Sequence, residues 1–410
     1  MTRRELLRNR ALLGLLARDV VSLAGSQMTW VAIPWFVLTT TGSPTRMTLV
    51  LAVESASLAI FGFLAGNVVS RIGARRTMLI ADAARAPLVA LVPVLHWADL
   101  LSFPLLLVLV AAIAAFTTPS FASKQSILVD IVGEDEGTLG EANALLQGAN
   151  RVSLILGPPL GGALIGFFGA TNVLLVDSAT FAIAFVLVAT LVRGGGGAVV
   201  ETEESRGLTA GLRFARRDPL LRAWGSAIIL SDATWLALFA VMPVLVVQRF
   251  GEHPQVLGWI WGAWGAGAVC GSVVAFRIVS RIDRLLVASV GEIGMTAPLW
   301  LLLIDQPAPA VVATMFVSGA ANGVINAPIH AIVMLRTPRE LRAKVWSVVI
   351  VLTAILGPPL LAATGPALES AGLRPTLFAL LTLQSVGVIW FTAAGLRERA
   401  RLREPVADVA

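Results

Sequence analysis

The sequence contains few of the residues on which disulfide-bonded, metal-binding or catalytic proteins depend. Its single cysteine, Cys270, excludes an internal disulfide bond, and the three histidines show no metal-ligand spacing with it. The P-loop pattern is absent, so direct use of ATP is not expected, and no HExxH or paired-carboxylate pattern marks an active site. The sequence therefore predicts neither an enzyme nor a cofactor or metal site.

Charged residues are also scarce: they make up 14% of the 410 residues, whereas a soluble protein has about 25%. Hydrophobic residues make up 57% of the chain, and the mean hydropathy is +0.83. This apolar excess cannot be buried in a water-soluble core and indicates a chain surrounded by lipid. The formal net charge of +6 could suggest nucleic acid, but the positive residues are distributed as a membrane topology requires, so we expect no nucleic-acid partner.

Apolar runs long enough to cross a bilayer, about 20 residues each, occur repeatedly along the chain. They predict an all-α membrane protein of twelve transmembrane helices. The predicted spans are 16–40, 46–69, 77–97, 100–123, 140–167, 171–192, 221–247, 255–279, 285–304, 308–334, 344–369 and 374–395.

Lysine and arginine positions test this topology independently, because cytoplasmic loops carry an excess of positive residues. With the N-terminus inside, the outer connections hold only Arg46, Arg249 and Arg374. The sequence therefore predicts that both termini are cytoplasmic. The first apolar run resembles a signal peptide, but it includes Arg18 and Asp19 and lacks a small-residue cleavage site, so we interpret it as a retained helix.

One long connection, residues 193–220, divides the chain into an N-terminal six-helix bundle (1–192) and a C-terminal six-helix bundle (221–410). The glycines Gly194–Gly197 suit a flexible linker. Three glutamates follow: Glu201, Glu203 and Glu204. The basic segment GLRFARRDPLLR then predicts a short amphipathic helix on the inner leaflet; a plain solvated linker is the alternative.

The two halves also share a short sequence at equivalent positions. LGPPL occurs at Leu156–Leu160 and again at Leu356–Leu360, 200 residues later. Transporters are often built from such repeats, with the substrate site between them near the bilayer midplane. The repeat favours two pseudo-symmetric halves.

The connection after the second span has the sequence GNVVSRIGARR. It resembles the signature of the major facilitator superfamily, G-x-x-x-D-R-x-G-x-[RK]-[RK], except that Ser70 replaces the aspartate. In that family the aspartate joins a charge network at the inner gate. Asp82 and Arg85, three apart on one helix face, could pair and compensate. The gating residues implied here are Gly66, Ser70, Arg71, Gly73, Arg75 and Arg76; we expect Gly66 to allow close helix approach and Gly73 a tight turn.

The fifth span contains GPPLGG, Gly157–Gly162, which is similar to the end of the superfamily's antiporter signature, a mark of exporters. Pro158 is expected to kink the helix, and Gly161 and Gly162 to let a neighbouring helix pack closely. Packing alone, without a role in export, is the alternative.

Other segments resemble the branch that includes the enterobactin exporter and macrolide efflux proteins: the first-span region, TPSFASKQSILVDIV with EANALLQGANRVSLILGPPLGG, and GLRFARRDPLLR. The resemblance covers essentially the whole chain. It implies a monomeric secondary transporter of the bacterial inner membrane that exports a small amphipathic molecule, such as a drug, macrolide or siderophore, in exchange for protons. A lipid or lysolipid flippase is the main alternative, and a non-transporting membrane sensor is a further one.

Charged side chains inside the membrane are costly and therefore need a reason. Glu54 and Asp232 lie within the second and seventh spans, where they are candidates for proton coupling or cation recognition; an outer-gate hydrogen bond is the alternative. Arg151 is a candidate for binding an anionic substrate or for pairing with a carboxylate near the inner gate. Glu292 is expected to be peripheral.

Two spans carry polar residues along one helical face. The first has Asp19, Ser22, Ser26 and Thr29, and the tenth has Ser318, Asn322 and Asn326. Such faces turn either towards a substrate cavity or onto a neighbouring helix. The cavity interpretation makes Ser26, Thr29, Asn322 and Asn326 substrate-contacting candidates, together with the flat apolar side chains of Trp30 and Trp235.

Overall fold

The computed structural model describes residues 6, 8–133, 135–192, 208–278, 281–338 and 341–401, and within these ranges it is helical, with no strand. The first six long helices are α1 (Arg10–Thr41), α2 (Pro44–Ile72), α3 (Ala74–Trp97), α4 (Phe103–Val132), α5 (Glu136–Phe168) and α6 (Ala170–Leu191). A short helix, α7 (Leu208–Arg217), precedes the rest. These are α8 (Pro219–Phe250), α9 (Pro254–Ile278), α10 (Arg284–Thr296), α11 (Ala308–Arg336), α12 (Arg342–Ser370) and α13 (Leu373–Arg401).

Twelve of the described helices are long and apolar enough to cross a bilayer, if α10 is counted together with its 3₁₀ extension Ala297–Leu303. Each overlaps one predicted span, so the predicted fold class is confirmed. The ninth span changes from α to 3₁₀ geometry at Ala297, next to Pro298, whose ring removes a backbone donor.

Local sequence explains where the helices begin and end. The Asn9 side chain accepts hydrogen bonds from the backbone N–H groups of Ala11 (3.0 Å) and Leu12 (3.2 Å) and so caps α1. Gly42 ends this helix in the left-handed conformation (φ 64°), and Ser43 caps α2 directly afterwards. A two-residue turn therefore reverses the chain between the first two helices.

Side-chain burial has the pattern of a protein whose solvent is lipid. Large apolar side chains point outward, for example Phe276 (88% exposed) and Phe167 (78% exposed). By contrast Asp82, in the middle of an apolar helix, is fully buried. With its twelve apolar helices, the chain is a multi-pass membrane protein.

The described residues fall into two compact units. The first contains α1–α6 and, from the later part of the chain, Gly251–Gly262. The second contains α7, α8, the remainder of α9 from Ala263 and α10–α13. The predicted amphipathic helix is present as α7, whereas Gly194–Gly197 and the acidic residues Glu201, Glu203 and Glu204 lie outside the described residues.

Candidate functional site

The first unit contains a buried network of charged side chains that joins α1, α3 and α4. Arg18 donates to both carboxylate oxygens of Asp82, at 3.0 and 2.6 Å, and Arg85 donates to Asp82 at 2.5 Å. Ser120 on α4 accepts from Arg18 at 2.7 Å. The predicted pairing of Asp82 with Arg85 is therefore confirmed, with Arg18 as a second partner.

A second ion pair continues this network along α1 and α4. Lys124 donates to Asp19 at 3.0 Å, and the guanidinium of Arg18 lies 3.5 Å from the other oxygen of Asp19. All of these side chains are nearly inaccessible, with Lys124 only 4% exposed. An unpaired charge in this buried setting would be costly, so each charge is stabilised by its partner of opposite sign.

The predicted gating motif spans the end of α2, the single connecting residue Gly73 and the start of α3. Gly73 has φ +88° and connects the two helices, which confirms the expected tight turn. Ser70 donates to the carbonyl of Asn67 in its own helix and has no charged partner there. The charge network of this unit is thus centred on Asp82, not on position 70.

Arg75 of the same motif fastens α3 to the end of α6. Its guanidinium donates to the carbonyl oxygens of Val192 (2.6 Å) and Ala189 (3.0 Å), which lie at or just beyond the C-terminus of α6, where carbonyls lack helical partners. The neighbouring Arg71 and Arg76 are exposed. At Gly66 an added methyl group would meet no atom of a neighbouring helix within 4 Å. The prediction of a close helix approach at this glycine is therefore wrong.

The glycines of GPPLGG do allow close helix packing, as predicted. A methyl group added at Gly161 would lie 3.0 Å from the Cα of Met28 on α1. One at Gly162 would lie 2.6 Å from the carbonyl oxygen of Pro254 and 2.9 Å from the Cα of Gly258, both in the α9 segment of the first unit. Pro158 lies inside α5, which continues through it.

The polar face of α1 is largely occupied by contacts within the first unit. The Thr29 hydroxyl donates to Asp177 on α6 at 2.6 Å, and the Ser26 hydroxyl donates to the backbone carbonyl of Ser22. For Thr29 the helix–helix alternative is therefore the one that this geometry favours. Trp30 packs against Trp261 with ring centres 5.7 Å apart.

The second unit contains a polar cavity of about 200 Å³ between α8, α10, α11 and α13. Asp232, Glu292, Asn322, Asn326 and His330 all line it. Sequence periodicity predicted the two asparagines on one face of α11, and the fold brings them to the same cavity as Asp232 on α8.

Amide groups along α11 are held in a chain of hydrogen bonds. Asn326 donates to the backbone and side-chain oxygens of Asn322, both at 3.0 Å, and Asn322 contacts the Met295 sulfur at 3.5 Å. The His330 ring lies 2.9 Å from the carbonyl oxygen of Asn326. These bonds fix the orientation of the cavity's neutral polar groups.

The two carboxylates in this cavity differ from Asp82 and Asp19 of the first unit, which pair with cations. Among the described residues, neither Asp232 nor Glu292 forms an ion pair, and Glu292 is only 7% exposed. The expectation that Glu292 is peripheral is therefore wrong. The two carboxylates line one cavity, with Asp232 exposed and Glu292 nearly buried, and a charged carboxylate within a membrane-spanning helix needs a counter-charge or a proton.

The remaining candidates lie apart from this cavity. Glu54 is half-buried in α2, and Arg151 is exposed on α5; neither forms an ion pair with another described residue. Trp235 packs against Trp264 with ring centres 5.5 Å apart, within the second unit.

Sequence patterns gave little indication of three members of these sites. Arg18 was visible only as an interruption of an apolar run, and Lys124 as a charge at the end of one. Their partners lie 64 and 105 residues away along the chain, so no local pattern links them. Glu292 forms no ion pair with a described residue, and the packing of α8, α10, α11 and α13 brings it to the cavity.

The twelve apolar helices, with charged groups buried among them, define a multi-pass membrane protein. The chain belongs to the Major Facilitator Superfamily, whose family model matches residues 20–362. It is 30% identical over 389 residues to the multidrug efflux pump Tap of Mycolicibacterium fortuitum, with 92% of this chain and 93% of that protein covered. It is 28% identical to Tap of Mycobacterium tuberculosis over 94% of this chain and 93% of that protein.

Solved structures with the same fold include a bacterial homologue of the human lysosomal transporter Spinster in an inward-facing, unoccupied conformation. That comparison has a TM-score of 0.75 at 14% identity and covers 97% of this chain and 98% of the other. The nucleoside transporter NupG gives a TM-score of 0.71, also at 14% identity, over 94% of this chain and 98% of that one. At such identities the likeness extends to the fold alone.

Proposed function

We propose that this transporter is a secondary active exporter of a small amphipathic molecule and that inward movement of protons drives the export. The observation that carries the proposal is the cavity of the second unit. Asp232 and Glu292 both line it, and neither has a cationic partner among the described residues. Such carboxylates can exchange between a protonated state and a charged state that binds a cation.

Export, rather than uptake, is supported by the relatives. The Tap proteins are multidrug efflux pumps, and the similarity to them extends over more than nine-tenths of this chain. The apolar and aromatic side chains of Trp30 and Trp235 suit drug-like molecules with flat rings. The substrate class proposed here therefore includes hydrophobic drugs and dyes.

Alternating access is the mechanism we propose, with residues 1–192 and 221–410 moving as two bundles joined by residues 193–220. The GPPLGG glycines and the gating motif around Gly73 and Arg75 would act where helices must slide or separate. Ser26, Arg151, Asn322 and Asn326 are proposed to line the substrate path. Glu54 is proposed as a second coupling carboxylate, in the first unit.

We also propose a monomer in the bacterial inner membrane with both termini in the cytoplasm, as the distribution of positive residues favours. Reporter tags within residues 193–220 and after residue 401 test this topology. Both tags should report a cytoplasmic location, and a periplasmic signal from either would contradict the proposed orientation.

Transport by purified protein in proteoliposomes with an imposed pH gradient tests the function. Macrolides, fluorescent dyes, siderophores and lysolipids should be screened for movement that requires both the protein and the gradient. Gradient-dependent movement of a soluble amphipath is the expected result. Movement of lysolipid alone would overturn the proposal in favour of the flippase.

A further inference from the structure

The short helix α7 lies against the second unit in a defined position. It packs along α12 and contacts the start of α8. Phe214 points towards the apolar core beneath it, whereas Arg213, Arg216 and Arg217 are exposed. This division of apolar and basic residues is typical of a helix at a membrane surface.

An apolar groove of about 180 Å³ opens beside this helix, between α7, α8, α11 and α12. Its walls are almost entirely hydrocarbon. They include Leu212, Ile229, Val333, Val348 and Leu352. A groove of this kind fits a flexible hydrocarbon chain, which can follow its walls and make many close contacts.

Two arginines, Arg216 and Arg222, also line the groove and are exposed. Neither forms an ion pair with any carboxylate in the part of the chain that the structure describes. The acidic residue between them in sequence, Asp218, is already engaged: it caps α8 and pairs with Arg336 at 3.0 Å. The groove therefore combines an apolar interior with two positive charges that pair with no carboxylate among the described residues.

We propose that this groove binds an anionic phospholipid, with one acyl chain along the apolar walls and the phosphate held by Arg216 and Arg222. Guanidinium groups suit phosphate because their planar N–H donors can bind two oxygens at once. Basic pockets between helices at a membrane surface are recognised settings for anionic lipid head groups. The bound lipid would fasten α7 to α8 and α12.

Native mass spectrometry of the delipidated full-length protein, with added phosphatidylglycerol or phosphatidylcholine, tests this site. The wild type should retain phosphatidylglycerol preferentially. The double variant Arg216→Gln/Arg222→Gln should bind it about tenfold or more weakly, since each basic group near the surface contributes about 1 kcal/mol. The matched control Arg213→Gln/Arg217→Gln removes the same net charge, from positions on α7 that do not line the groove, and should retain the binding.

A third variant tests the acyl chain independently of charge. Gly225 lines the groove, and a Cβ atom added there would meet no atom within 4 Å, so we expect the Gly225→Leu side chain to extend into the groove and fill part of it. It should bind less phosphatidylglycerol although both arginines remain. Ser226→Leu, from the same wall, serves if Gly225→Leu does not fold.

Four results would overturn the proposal. Equal retention of both lipids would show that the arginines do not select for charge. An equal loss in the control pair would indicate a general surface attraction, not a site. Undiminished binding to the groove-filling variants, or full competition by soluble glycerol phosphate, would show that no acyl chain occupies the groove.

Discussion

Asp82 is a single carboxylate that accepts hydrogen bonds from two arginines, Arg18 and Arg85, in a fully buried position. Removal of one partner from a buried ion pair leaves the other charge uncompensated, and this costs more than the pair itself contributes. The network is therefore a structural tie between α1, α3 and α4, whose stability depends on the complete set of charges.

Asp82→Asn should lower the stability of the folded protein by about 3–5 kcal/mol, because both arginines would lose their counter-charge. Thermal unfolding of the purified protein in detergent measures this effect. Asp130→Asn is the control, because Asp130 is exposed near the end of α4 and forms no ion pair with a described residue. Equal melting temperatures for the two variants would show that the network contributes nothing to stability.

Glu292 presents the opposite case, since it is buried without a cationic partner in the described chain. Glu292→Gln removes its charge at nearly constant volume and leaves no cation unpaired, so we expect the protein to remain folded. Gradient-driven transport should fall by about tenfold or more, within the range attributed to a positioned proton-transfer group. Glu252→Gln, at an exposed loop position, should transport like the wild type; equal rates for the two variants would remove Glu292 from the coupling site.

At the scale of elements, hydrophobic run length was enough to predict every described membrane-spanning helix, because lipid requires long apolar segments. Local chemistry also predicted the turn at Gly73 and the pairing of Asp82 with Arg85 three residues later. Contacts between distant segments were beyond such patterns. Close packing was expected at Gly66, where the space is open, and Glu292 was expected at the periphery. Both errors arose because a one-dimensional pattern cannot say which helices become neighbours.

The contact between α5 and the α9 segment of the first unit offers a test of glycine packing. In Gly162→Ala the new methyl group would lie 2.6 Å from the backbone oxygen of Pro254, and backbone cannot move aside as a side chain can. We expect a loss of about 1–3 kcal/mol in the stability of the folded protein, as for other overpacked sites.

Gly148→Ala is the matched control for this substitution, because it lies in the same helix and a methyl group there would meet no neighbouring atom within 4 Å. It should be neutral or stabilising by up to about 1 kcal/mol, since alanine favours helix more than glycine does. If both variants had the same melting temperature, the close contact at Gly162 would not limit the stability of the folded protein.

For the whole molecule, many large apolar side chains face outward, as expected where the solvent is hydrocarbon, and the charged groups that lie inside the two units occupy a few positions. Those positions divide into two kinds. The charges around Asp82 are paired within the first unit, whereas Asp232 and Glu292 share a cavity in the second unit without a described cation. We infer that the first set maintains structure and that the second is available for transport.

If protons moving through this protein drive export, dye transport in proteoliposomes should depend on an imposed pH gradient. The wild type should accumulate a dye only while the gradient lasts, and an ionophore that collapses the gradient should stop it. Asp232→Asn should lose the gradient-driven component but still exchange dye across the membrane when no gradient is present. Undiminished accumulation after the gradient is collapsed, or in Asp232→Asn, would contradict the account.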